Sequence, residues 1–158
     1  MLSLSHAATG AFLAAKLQNP LLYIPIILAS HYLEDYILHW DVGTGLSNGT
    51  RKREHAFMLE VIDLGLTAVL VFAMYPTTPW TITQHVFAGQ WTSLAPYIGA
   101  FFALVPDFIE APRNFFHWNP WFLKPLNAFH HAIHHSTPNM LLGLTPQLIL
   151  LAGLWFFR

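Results

Sequence analysis

The sequence predicts an all-α protein: a polytopic membrane bundle of about five helices, one transmembrane domain over residues 1–158, with a polar cluster inside the membrane near its cytoplasmic side. Three observations predict it. Hydrophobic residues make up 54% of the chain and charged residues 9%, where a soluble domain carries about 25% charged residues. Apolar stretches of near-spanning length alternate with segments marked by Pro, Gly or charge. Third, His, Asp and Glu stand within those apolar stretches, where an ionisable group is costly unless it is paired or has a function.

The first helix is expected over Ser3 to Gln18, ending at Asn19-Pro20, because proline can open the next helix at its first turn. The second runs from Pro20 to Trp40 and contains "SHYLEDYILHWD". After the polar loop "DVGTGLSNGTRKRE" the third runs from His55 to Tyr75. A linker from Pro76 to Ser93, which includes His85, precedes the fourth, from Leu94 to Glu110. "APRNFFHWNPWFLKP" then reads as an interfacial segment, where Trp and Tyr rings are at home. A short His-rich helix from Leu126 to His135 leads into a last apolar run, Met140 to Phe157.

Lys and Arg set the orientation. Arg51, Lys52 and Arg53 lie in one loop and Arg113 and Lys124 in another on the same side, while the Pro76–Ser93 linker has neither residue type. The positive-inside rule places the charged loops in the cytoplasm, and the site is expected to face that side of the membrane. A rise of about 1.5 Å per residue then brings His31, Asp35, Asp63 and Asp107, from three helices, to similar depths.

Net charge −1 and seven Lys plus Arg leave no basic face, so nucleic-acid binding is not expected. Without cysteine there is neither a disulfide nor a thiolate site, and any metal must be held by imidazole and carboxylate. The N-terminus lacks a basic segment before its apolar part and is read as a helix, not a cleaved leader. Oligomeric state is not legible.

The candidate ligands follow from spacing. His31, Asp35 and His39 at i, i+4 and i+8 share one face of a helix, as a metal-binding stripe would. "FHHAIHHS" offers two i, i+4 pairs about 100° apart, His130 with His134 and His131 with His135, so one ion cannot collect all four. The first pair is the expected one, although periodicity leaves the choice open. Asp63 in "LEVIDLGL" and Asp107 in "LVPD" complete the ligands or orient a ligating His from outside. His6, among small residues that allow close helix approach, falls at the same height. The bland alternatives are interfacial solvation for the histidine tract and interhelical hydrogen bonds for the acids; Gln147 is read as such a bond.

Together these residues resemble a group of small bacterial membrane proteins, the membrane-bound metal-dependent hydrolases. "HAATGAFLA", "SHYLEDYILHWD", "IDLGL", "LVPD" and "FHHAIHH" carry the likeness, which covers most of the chain. More distantly, His31-Tyr32-x-x-Asp35 with His39 is similar to a helix of zinc-dependent phospholipase C, whose proline, longer histidine spacing and N-terminal tryptophan ligand have no counterpart here. The resemblance implies a divalent ion, zinc first and Mn or Fe as alternatives. Its ligands would come from His6, His31, Asp35, His39, Asp63, Asp107, His130 and His134, with Asp35 or Asp63 as the carboxylate that handles the attacking water. The implied substrate is a lipid or other phosphoester, and the implied partner is membrane lipid. Two other classes fit the sequence. His131-x-x-His134-His135 matches one histidine box of di-iron desaturases and hydroxylases, and a non-enzymatic metal- or proton-handling protein would also place acids and histidines in the membrane.

Overall fold

A computed structural model describes residues 1–77 and 91–158, and among these every regular element is a helix. The α-helices are α1 (Ser3–Leu17), α2 (Pro20–Tyr36), α3 (Arg53–Met74), α4 (Ala95–Phe116), α5 (Lys124–Ile133) and α6 (Met140–Phe157), with a 3₁₀ turn at Trp91–Leu94. Most of the linker expected from Pro76 to Ser93, including His85, lies outside the described residues.

The helix starts follow from local chemistry. Asn19 caps α2 by accepting from Leu21 N, with Pro20 at the first turn. Asn139 caps α6 by accepting from Leu142 N. The N-terminus of α1 is satisfied from other helices instead: Ser3 N donates to Asp63 Oδ2 at 2.7 Å, Ser3 Oγ to Glu60 Oε1 at 2.7 Å, and Leu2 N to Gln147 Oε1 at 2.9 Å.

Helix α1 is the hub, packed on α2, α3, α4 and α6. Its small residues are the reason. A Cβ added to Gly10 would stand 2.3 Å from the Gly99 carbonyl oxygen, and one on Gly99 would meet the Gly10 carbonyl at 2.3 Å, so α1 and α4 touch backbone to backbone. Ala7, Ala11, Ala100 and Leu104 pack beside that contact, and Ala14, Tyr23, Ile27 and Ala103 extend it to α2.

The outer faces are apolar. Val61, Ile62, Leu66 and Val69 of α3 and Leu141, Leu148, Ile149 and Phe156 of α6 are exposed. These two helices are long and apolar enough to cross a membrane, with mean hydropathies of 2.1 and 1.8, and are the only two of that kind among the described residues.

The structure departs from the expected boundaries in two places. Helix α2 stops at Tyr36 instead of reaching Trp40, because Ile37 turns into extended backbone and His39 pairs with the chain after α5: His39 N donates to His135 O at 3.1 Å and Thr137 N to His39 O at 2.8 Å. Helix α4 continues to Phe116, through Pro106 and Pro112, and takes in the start of the segment expected at the interface.

Candidate metal centre

Asp35 stands at the centre of the polar cluster, 1% exposed, in the last turn of α2. Two groups of side chains meet on it. In the first, His31 Nε2 lies 3.3 Å from Asp35 Oδ2 and 3.5 Å from Asp107 Oδ1; His130 Nε2 lies 2.7 Å from Asp35 Oδ2 and 3.9 Å from Asp107 Oδ1. In the second, His39 Nε2 lies 3.1 Å from His134 Nε2 and 3.8 Å from Asp35 Oδ1. Both groups could hold a metal ion. Four donors at about 2.0–2.2 Å around a tetrahedral ion stand about 3.3–3.6 Å from one another, and the first group falls close to that spacing.

The histidine tautomers support the same reading. His31 Nδ1 donates to the Ala103 carbonyl at 2.8 Å, and His39 Nδ1 donates to the Ile37 carbonyl at 2.8 Å. A neutral ring that gives its proton at Nδ1 presents a lone pair at Nε2. For His31 that lone pair faces two carboxylates, and Nε2 is buried without a hydrogen-bond partner. A cation between these acceptors, or a proton on His31 Nε2, would relieve the arrangement. Pro106 contributes from α4: lacking an N–H and crowding the turn before it, proline frees carbonyls there for outside donors, and Ala103 O receives His31.

The second group depends on loops. Gly143 lets the His39–Trp40 strand lie on α6, since a Cβ there would stand 2.3 Å from Trp40 N. Gln147 Nε2 donates to Trp40 O at 2.7 Å and to Gly143 O at 2.9 Å, so the amide ties the strand down as well as α1. Asp41 closes the group, with Oδ2 at 3.1 Å from His39 Nε2 and 3.0 Å from His134 Nε2. Burial by itself would raise the Asp41 carboxyl, but the hydrogen bond from His134 and the His39 ring beside it outweigh burial and hold the group well below the usual carboxylate range. His134 is raised above the ordinary imidazole value, because the Asp41 carboxylate more than offsets burial, while burial lowers His39.

Of the residues expected from the sequence, His31, Asp35, Asp107 and His130 come together in one group and Asp35, His39 and His134 in the other. His131 and His135 are exposed. His39 reaches the cluster through the extended strand, not along a helical stripe, since α2 has already ended. His6 belongs to neither group: its ring stacks on His31 with centroids 3.9 Å apart, and its Nε2 lies 3.2 Å from Asp35 Oδ1. On its other side Nδ1 is 2.9 Å from Glu34 Oε2, out of line for a hydrogen bond. Asp63 also stands outside both groups, with its carboxylate on Ser3 N at the start of α1. The α-ammonium of Met1 bonds Asp35 Oδ1 and lies 3.0 Å from His6 Nε2, placing a cation on the shared carboxylate.

Asp41 is the partner that spacing did not assign. The string His39-Trp40-Asp41 held the signal, but a carboxylate two residues beyond a histidine faces it only where the chain is extended or turned, and the sequence reading kept that stretch helical. Comparison with family models, with curated proteins and with solved structures finds no match for this chain.

Proposed function

We propose that the protein is a membrane-embedded, metal-dependent hydrolase acting on a phosphoester, in which two groups of ligands that have Asp35 in common would hold divalent ions. The observation that carries the reading is the pair of buried histidine–carboxylate groups sharing that one carboxylate, with Nε2 lone pairs of His31 and His39 directed into them. The outward apolar faces of α3 and α6, together with the apolar outer residues of α2 and α4, support insertion of the whole bundle as a polytopic protein. The charged loops support a site facing the cytoplasm, and the resemblance supports a bacterial inner membrane. The sequence resemblance to membrane-bound metal-dependent hydrolases points the same way.

His31, Asp35, Asp107 and His130 would hold one ion, and Asp35, His39 and His134 the other, with Asp41 beside them. An all-nitrogen and oxygen donor set suits zinc and also accepts Mn²⁺ or Fe²⁺. Such ions lower the pKa of a water toward about 7 and act as Lewis acids toward a phosphoryl oxygen. The protein's own part is to orient. Ala103 O and Ile37 O hold the imidazoles in register, His6 backs the His31 ring, and Asp35 is taken up between the two groups. Asp107, with its side chain 29% exposed, is the ligand carboxylate that also faces the adjoining cavity, which Asp41, Glu60 and Glu110 line as well.

Metal content by mass spectrometry tests the reading, comparing detergent-purified wild type with His31→Ala/Asp35→Ala at matched helicity. The expected result is close to two ions in the wild type and none in the variant, with chelator-sensitive hydrolysis of a phosphoester in mixed micelles by the wild type alone. A wild type that stays metal-free after reloading sinks it.

A further inference from the structure

A cavity of about 880 Å³ opens in front of both groups, reached by Asp41, Asp107 and His134. Its wall has a second component that the ion groups do not use. Arg53 lines it from the first turn of α3, and Nη1 of this guanidinium is buried with no hydrogen-bond partner and no carboxylate within ion-pair distance among the described residues. The neighbouring arginines are committed elsewhere. Arg113 pairs with Glu110 and donates to Asn127 O at 3.3 Å, and Arg51 donates to Val42 O at 2.7 Å while lying over the Trp40 ring.

Arg53 is therefore badly placed for stability alone. It opens a helix, where the macrodipole disfavours a cation, and a buried guanidinium nitrogen without an acceptor carries a desolvation cost. An anion in the cavity would relieve both. Arginine presents a planar fork that matches phosphate oxygens, and hydrogen bonds to an ionised acceptor are the strong ones. Part of the wall is apolar, where Phe57, Phe108, Phe115 and Phe116 gather, with Phe57 and Phe115 edge to face at 5.5 Å, while Asp41, Glu60, Asp107 and Glu110 also line the cavity.

We propose that Arg53 binds the anionic oxygens of a phosphoryl group carried by an amphiphile, whose apolar part lies along these phenylalanines. The inference rests on the proposed ion centre only for the opposite side of the phosphoryl group; the Arg53 contact stands without it. A water-soluble phosphate shares the anionic chemistry, and the apolar wall is what favours the amphiphile.

The test uses the full chain held in amphipol, loaded with zinc and freed of excess, and titrated with inorganic phosphate, hexyl phosphate and hexyl glucoside. Hexyl phosphate should bind at least about tenfold tighter than either of the others. Arg53→Gln should weaken both phosphates by about 10- to 100-fold, with Arg53→Lys restoring only part, because a point charge replaces a fork. Arg113→Gln, whose guanidinium is already paired, should weaken them far less. Zinc content should be the same in all variants. Since Arg53 makes no ion pair among the described residues, the glutamine variant is expected to keep its helicity, and Arg53→Lys covers the case in which it does not. Unchanged phosphate binding in Arg53→Gln, or no phosphate binding by the wild type, overturns the proposal. Equal affinity for inorganic and hexyl phosphate overturns the amphiphile and leaves a soluble phosphate as the ligand. Arg53-dependent phosphate binding in a protein that takes up no zinc would remove the ion centre and leave this site standing.

Discussion

The two candidate metal groups share Asp35, yet one is built inside helices and the other on irregular chain. His31, Asp107 and His130 each stand on a helix, and the orientation of His31 is set by a carbonyl of the proline-bearing turn of α4. His39 and His134 lie just past the ends of α2 and α5, on extended segments joined by a bridge between His39 and Ser136, and Gln147 and Gly143 anchor the His39–Trp40 segment to α6. A helix fixes its side chains by its own hydrogen bonds. An extended pair needs outside support, and here that support is one amide and one glycine.

The largest effect that would break this comparison comes from single ligands. His130→Ala should reduce the ion content from two to one by emptying the helical group, and His39→Ala should do the same to the other. Mass spectrometry beside cobalt absorption would tell which ion is missing. If either variant loses both ions, the groups are one site and the distinction fails. A smaller effect should follow at Asp107. Asp107→Asn keeps the shape and removes the charge, and is expected to weaken the helical group by more than the roughly 10- to 100-fold seen when outer partners of a metal ligand are changed. The other group should be untouched, as a chelator titration would show. Smallest is Asp63→Ala. This carboxylate accepts from Ser3 N at the start of α1, so losing it should cost about 1 kcal/mol of stability, as other helix caps do, with ion content unchanged. Loss of an ion in that variant would return Asp63 to the centre.

Much of this was legible in advance. Helices α1, α3 and α6 begin and end within a few residues of where proline, asparagine and the apolar runs place them, since those signals act locally. The pairing of His31 with Asp35 required only the helical repeat. The end of α2 was less legible. "YILHWD" continues the apolar pattern of a helix, and nothing within it announces that His39 will find a bridge partner almost a hundred residues away.

Asp63 shows the same limit from the other side. An acid in an oil-like helix reads equally as a ligand or as a cap, and the distinction lies in which backbone N–H arrives beside it. That depends on α1 sitting against α3, a matter of long-range packing.

By itself the sequence determined the helical class, the donor chemistry and the candidate ligands. Composition excludes thiolate and basic surfaces outright, and 3.6-residue periodicity operates over a single turn. Only the tertiary structure decided that the candidate ligands divide into two groups on Asp35, that Asp41 joins one of them and Asp63 neither, and that Arg53 Nη1 faces a cavity without a hydrogen-bond partner among the described residues. Each of those facts is a distance between elements far apart in the chain, set by how closely Gly10 lets α1 approach Gly99 and by where the His39 strand comes to rest on Gly143.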